Sequence, residues 1–170
     1  MNKYNYGTRS KEVLATCHPD IRMVFNEAIK VIDISCYEGM RLLKTQQKYF
    51  AEGKSKLDGI IKKSNHQGKE VEPEIYEDDK DLGTYSYNQA GEPIISFAVD
   101  AAPYPISFSN AAKKRARFYY MAGIIVAIGD KLYEEKKISH KIRWGGDWDF
   151  DNNFEDQSFD DLPHFELYRP

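Results

Sequence analysis

Apolar residues at Ile21, Val24, Phe25, Ala28, Ile29 and Ile32 recur at helical spacing, and Pro19-Asp20 supplies a start signal, so the pattern predicts a helix from Pro19 through Ile32. The run from Asp33 to Tyr37 then takes on the character of a short strand ending at Glu38-Gly39. Leu42 to Glu52 resumes a helical pattern that Gly53 stops, which leaves Arg41 at a strand-to-helix junction. Farther on, Ile94 to Val99 reads as a strand leading to Asp100, and the AAPYPISF that comes next is expected to be irregular because of Pro103 and Pro105. Asn110 is the expected cap of a long helix from Ala111 to about Lys137, whose middle, MAGIIVAIG, is apolar on all sides and should cross the core. HKIRW and, after an acidic loop, HFELY complete the set as strands. Strands separated by helices without a regular repeat predict an α+β fold with a small, mainly antiparallel sheet packed with helices.

Composition narrows this picture. A chain of 170 residues, 41% hydrophobic and 14% aromatic, has material for one core, so a single domain spanning 1–170 is expected. From Lys69 to Asp81 the sequence turns strongly acidic, and the stretch to Gly91 lacks periodic apolar residues, which predicts a loop or mobile insertion at about 67–93. The net charge of -3 provides no global basic field, so nucleic-acid and anionic-membrane binding are disfavoured. The most apolar run, Tyr119 to Gly129, is far below the ~20 residues of a bilayer span, so no membrane insertion is expected. The start MNKYNYGTRSKEV lacks the apolar stretch of a secretory signal, which predicts a cytoplasmic protein unless something else exports it. Cys17 and Cys36 read as reduced core residues.

Candidate chemistry gathers at three places: Ser64-Asn65-His66 in a polar turn, Asp100 at the end of ISFAVD, and Asp161-Leu162-Pro163-His164 opening the last strand. Two imidazoles and a carboxylate suit Zn²⁺, and a catalytic zinc leaves a fourth position for water. Asp161, three residues before His164, is the candidate to accept that water's proton. His66 and Asp100 do not form a compact ligand pair, and the spacing alone leaves purely structural roles open for each residue.

The segments YEGMR, EGKSK with its Gly-x-Ser, SNH, AVDAAPYP, WGGDWD and FDDLPHFEL occur in the order seen in one metallopeptidase family. The chain from Tyr37 to Leu167 resembles the family of D-alanyl-D-alanine carboxypeptidases and phage L-alanyl-D-glutamate endolysins, and looks closest to the phage branch. The resemblance implies a D-alanyl-D-alanine-peptidase-like, hedgehog-type fold, with zinc on His66, Asp100 and His164. It further implies Asp161 as general base and Arg41 in substrate and transition-state binding, a role suited to a guanidinium's paired donors. In the family a compact SxHxxGxAxD pattern joins the first two ligands, whereas here Gln67 to Phe97 intervenes.

The function implied by the resemblance is hydrolysis of peptidoglycan stem peptides, most consistent with cleavage of the L-alanyl-D-glutamate bond during phage lysis. Such a protein would be a monomer held in the host cytoplasm until the membrane is permeabilised, with no separate wall-binding domain. Open alternatives are a D,D- or L,D-carboxypeptidase acting on the same peptides, and a wall-binding protein without turnover. The insertion's Glu70, Glu72, Glu74, Glu77, Asp78, Asp79 and Asp81 would repel one another unless solvated or neutralised. They therefore read either as a solvated loop or as a Ca²⁺-regulated cover of the site. The loop DWDFDNNFED superficially resembles a calcium loop but lacks the central Gly and terminal Glu of an EF-hand. Trp144 and Trp148 read as core anchors or as part of a groove wall, core packing being favoured; Lys113, Lys114, Arg115 and Arg117 read as a solvated helix face in preference to a contact with an anionic wall polymer, and His18 and His140 as surface or packing residues.

Overall fold

A computed structural model describes residues 3–70, 86–87 and 93–170. In chain order the elements are α1 (Thr8–Ala15), α2 (Pro19–Ala28), β1 (Ile34–Glu38), α3 (Leu43–Ala51), a 3₁₀ turn (Asn65–Gln67), β2 (Lys69–Glu70), β3 (Ser86–Tyr87), β4 (Pro93–Ile95), β5 (Ala98–Pro103), α4 (Ala112–Glu134), β6 (Lys141–Trp144) and β7 (His164–Tyr168). Strands β1-β5-β7-β6 form an antiparallel four-stranded sheet, and β2-β4-β3 a small three-stranded one. This is the α+β architecture expected from the sequence.

Alternation along the strands decides where chemistry can sit. Val99 lies opposite Phe165, and Ile142 opposite Leu167, and all four belong to the buried core. Asp100 lies opposite His164, and Glu166 opposite Arg143, on the other face. The helices cover the apolar face: Ile21, Val24, Phe25 and Ala28 of α2 join Met121, Ile125 and Leu132 of α4 in that core. Phe25 meets Phe165 edge-on with ring centroids 5.6 Å apart, and both are fully buried, so truncating either to Ala should cost about 3–5 kcal/mol.

Several local expectations are corrected. Helix α2 stops at Ala28, one turn before Ile32, because the chain must turn to enter β1. Ile94 to Val99 is two strands rather than one. At the break, Ser96 turns its backbone to the α1–α2 connection, donating to Thr16 O and accepting from His18 N. Strand β5 continues through Pro103 despite the expected irregularity. Tyr104 N–H donates to Asp33 O, so in the alternating antiparallel ladder Pro103 occupies a position needing no donor toward β1. Helix α4 begins without a side-chain cap from Asn110; the loop before it is tethered by Arg117, which donates to the Tyr104 and Pro105 carbonyls. It also lies along the sheet instead of crossing the core, leaving Gly123 and Ala127 exposed.

Helix α1 has no counterpart in the apolar pattern. Ser10 Oγ both accepts from Cys36 N–H and donates to Cys36 O, so a hydroxyl occupies the backbone groups of edge strand β1 where another strand would bind. Cys17 and Cys36 are free and buried, and burial pushes the Cys17 thiol up to about 12.

Candidate metal centre

His66 is aimed by its turn. Ser64 Oγ accepts from His66 N and Gln67 Oε1 accepts from Ser64 N, a reciprocal cap that fixes the 3₁₀ turn. The His66 Nδ1 lies 2.7 Å from Gly39 O. A carbonyl can only accept, so Nδ1 carries the proton and Nε2 presents a lone pair. No side chain fits at Gly39, because a Cβ there would lie 2.3 Å from Thr16 Oγ1.

Asp100 and His164 face each other across one rung of the β5–β7 ladder. Asp100 Oδ1 is 3.1 Å from His66 Nε2 and 3.2 Å from His164 Nδ1, and the two nitrogens are 3.2 Å apart. Tetrahedral zinc with bonds of 2.0–2.2 Å requires donor atoms about 3.3–3.6 Å apart, so this buried triangle fits a zinc ion with little movement. Burial opposes the Asp100 anion, yet the His164 and His66 imidazoles packed against it hold it well below the usual carboxylate range. Burial also disfavours His164 as a cation, but Asp100 and Glu166 outweigh it and raise the imidazole to about 9. The surroundings therefore favour positive charge at this point, which a divalent cation would supply.

Arg41 is locked beside the triangle. Its Nε and Nη2 donate to Glu38 at 3.0 and 2.6 Å, Nη1 donates to Gln46 at 2.9 Å, and Nη2 lies 3.6 Å from Asp100 Oδ2. A bulge in β1 sets this up: pairing runs Cys36↔Ala101 and then Glu38↔Asp100, so Glu38 rather than Tyr37 stands beside Asp100. Asp161 is placed by Gly145, whose carbonyl accepts from Asp161 N at 2.8 Å and whose N–H donates to His164 O at 2.8 Å. A Cβ on Gly145 would lie 2.5 Å from Asp161 O. Burial raises the Asp161 carboxyl and Asp100 raises it further, against the opposing pull of His164, His66 and Arg41.

Arg41, His66, Asp100, Asp161 and His164 all line one cavity of about 600 Å³, so the structure brings the five sequence candidates together. Lys54, Lys56 and Lys63 add positive charge to its walls, and Tyr49, Trp148 and Phe159 add aromatic surface. Of the two tryptophans, Trp144 is buried in the core as favoured, whereas Trp148 takes the groove-wall alternative and stands over His164 with centroids 5.5 Å apart. Sequence reasoning also missed Glu38, Gln46, Asn65 and Glu166. The three-residue step from Glu38 to Arg41 and the two-residue step from His164 to Glu166 are the signals that could have found two of them.

Of the surface and packing roles expected for His18 and His140, packing is the one found: both are buried, with Asp20 between them. Of the basic cluster on α4, Arg115 bonds Asp160 and Arg117 ties down a loop, leaving Lys113 and Lys114 exposed as expected. Asp147, Asp149 and Asp151 converge, with left-handed backbone at Phe150 (φ 65°) between the last two and at Asn152 (φ 62°) just after them. Apart from the pairings of β2 and β3 with β4, the acidic insertion lies outside the described residues, and so does its expected closure on Ca²⁺.

Fold and site together define a class: an antiparallel α+β domain with a buried His-Asp-His triangle at the floor of a groove. No family model matches the sequence, and no curated protein matches it. Among solved structures the chain is similar to the L-Ala D-Glu endopeptidase ChiX of Serratia marcescens, with a TM-score of 0.59 and 20% identity over 98% of this chain and 92% of that one. The likeness is one of fold.

Proposed function

We propose that this chain is a zinc-dependent peptidase of bacterial peptidoglycan that hydrolyses the L-alanyl-D-glutamate bond of stem peptides. The observation that carries the reading is the triangle of His66 Nε2, Asp100 Oδ1 and His164 Nδ1, with sides of 3.1–3.2 Å, opening on a groove that also holds Asp161 and Arg41. The fold likeness to ChiX supports the choice of substrate.

Zinc held by these three side chains would acidify a bound water and polarise the scissile carbonyl. Asp161 takes the water's proton, a task favoured by burial that raises its carboxyl above the ordinary carboxylate value, and passes it to the leaving amine. Arg41 has five N–H donors, of which Glu38 and Gln46 engage three; it lines the groove beside Asp100, where a remaining donor would serve the developing oxyanion or a substrate carboxylate. The lysines of the groove suit the carboxylates of a stem peptide. In this reading the protein is a phage lysin that waits in the host cytoplasm and reaches the wall once the membrane is opened.

Digestion of purified peptidoglycan with mass spectrometry of the products tests the proposal. New N-terminal D-glutamyl peptides, lost on chelation and restored by Zn²⁺, are the expected result. Release of terminal D-alanine with the alanyl-glutamate bond intact would assign a carboxypeptidase instead, and no cleavage by zinc-loaded protein would remove the peptidase reading.

A further inference from the structure

We infer that Glu166 is the positioning residue of the metal centre: it selects the nitrogen of His164 that faces the metal and ties the His66 turn to the same strand. The inference rests on the proposed metal site and deepens it.

Two residues after His164 on β7, the Glu166 side chain falls on the same face of the sheet and is 5% exposed. Its Oε2 lies 3.0 Å from His164 Nε2 and accepts from Asn65 Nδ2 at 2.7 Å. Its Oε1 accepts from Arg143 Nε at 2.8 Å and from Arg143 Nη2. An ionised carboxylate has no proton to give, so His164 Nε2 must be the donor. Neutral His164 then has its lone pair on Nδ1, the nitrogen 3.2 Å from both Asp100 Oδ1 and His66 Nε2. Without Glu166 the ring could carry its proton on Nδ1, where it would block the metal position. The second bond matters separately. Asn65 is the neighbour of His66 in the 3₁₀ turn, so one carboxylate holds ligands from two segments 98 residues apart in register. Arg143, with its guanidinium 5.3 Å from the centre of the Trp148 ring, anchors that carboxylate through both Nε and Nη2. Carboxylate partners of metal-bound imidazoles typically contribute 10–100-fold in metal affinity.

The test is Zn²⁺ affinity, measured by competition with a chromophoric chelator and referred to the folded fraction, for the wild-type chain and for Glu166→Ala, Glu166→Gln, Asn65→Ala and Leu167→Ala. Nitrogen-15 shifts of the His164 ring in metal-free protein above pH 9 report its tautomer. Expected are a roughly 10–100-fold loss of affinity in Glu166→Ala with proton density moved toward Nδ1, and a smaller loss in Glu166→Gln, whose amide oxygen still accepts from Nε2. Asn65→Ala should weaken zinc binding without changing the tautomer. Leu167→Ala, on the opposite face of the same strand, should lower stability without changing affinity. Unchanged affinity and tautomer in folded Glu166→Ala would overturn the inference while leaving the function standing; equal losses in Glu166→Ala and Leu167→Ala would reduce Glu166 to a structural residue. A wild-type chain that binds no zinc would overturn the function itself, and this inference with it.

Discussion

Two buried clusters in this molecule have the same composition, two imidazoles and one carboxylate, and different chemistry. In His66-Asp100-His164 the three donor atoms point at one another, 3.1–3.2 Å apart. In His18-Asp20-His140 both Nδ1 atoms and the facing carboxylate oxygen are already engaged, with His18 Nε2 left unpaired among the described residues. Asp20 Oδ2 accepts from Ser139 N, Ser139 Oγ, His140 N and His140 Nδ1, and His18 Nδ1 accepts from Asp20 N as the cap of α2. The same contrast appears in protonation. Burial brings His18 down to about 4, Asp20 only partly opposing it, whereas two carboxylates raise His164 to about 9. Residue type therefore does not make a metal site; uncommitted lone pairs do.

The sharpest way to break this comparison is to remove one member from each cluster. His164→Ala should abolish zinc binding and lower peptidoglycan hydrolysis by about 10³-fold or more, since the metal supplies several kcal/mol to the reaction. His140→Ala should retain both, and zinc loss in that variant would mean that the second cluster also holds metal. Next in size, Asp161→Asn should reduce turnover about 10²–10⁴-fold at unchanged zinc stoichiometry; near wild-type turnover would remove Asp161 as the base. Asp20→Ala, which strands two backbone N–H groups and a buried imidazole, should cost about 3–5 kcal/mol in urea unfolding without changing zinc content per folded molecule. A zinc-depleted but stable Asp20→Ala would invert the assignment.

The smallest effect is a pH slope. Because the His18 pKa is lower folded than unfolded, the unfolded chain binds more protons between the ordinary value near 6.5 and about 4. The stability due to neutral His18 is complete above 6.5 and falls as the pH drops toward 4. Replacing His18 with Asn keeps a side-chain acceptor at the helix start and removes the titration, so the urea midpoint of the variant should fall less between about pH 7 and 4.5 than that of the wild type. Parallel profiles would show that His18 is not the group responsible.

Legibility from sequence tracks the physical origin of each element. Strands β6 and β7 and helix α3 announce themselves by local apolar pattern and breakers, and Gly53, with φ of 69°, ends α3 as expected. Helix α1 contributes just Leu14 and Ser10 as buried residues, and its docking through a hydroxyl leaves no periodic signature. The split at Ser96 depends on hydrogen bonds to residues about 80 positions away, which no window along the chain contains. The site divides in the same way. His164 and Asp161 lie within one short segment, but only the β1 bulge places Glu38 beside Asp100, and only β7 alternation turns Glu166 toward His164.

The small sheet has a consequence for how such a chain can change over time. Lys69 and Glu70 of β2 pair with Ile95 and Ile94 of β4, so the two ends of the segment between them are hydrogen-bonded neighbours. Its length is thus uncoupled from the separation of His66 and Asp100, which lie just outside the two paired ends. Both ends of this connection are held by the pairing of β2 with β4, so a change in its length reaches His66 and Asp100 only through those paired residues.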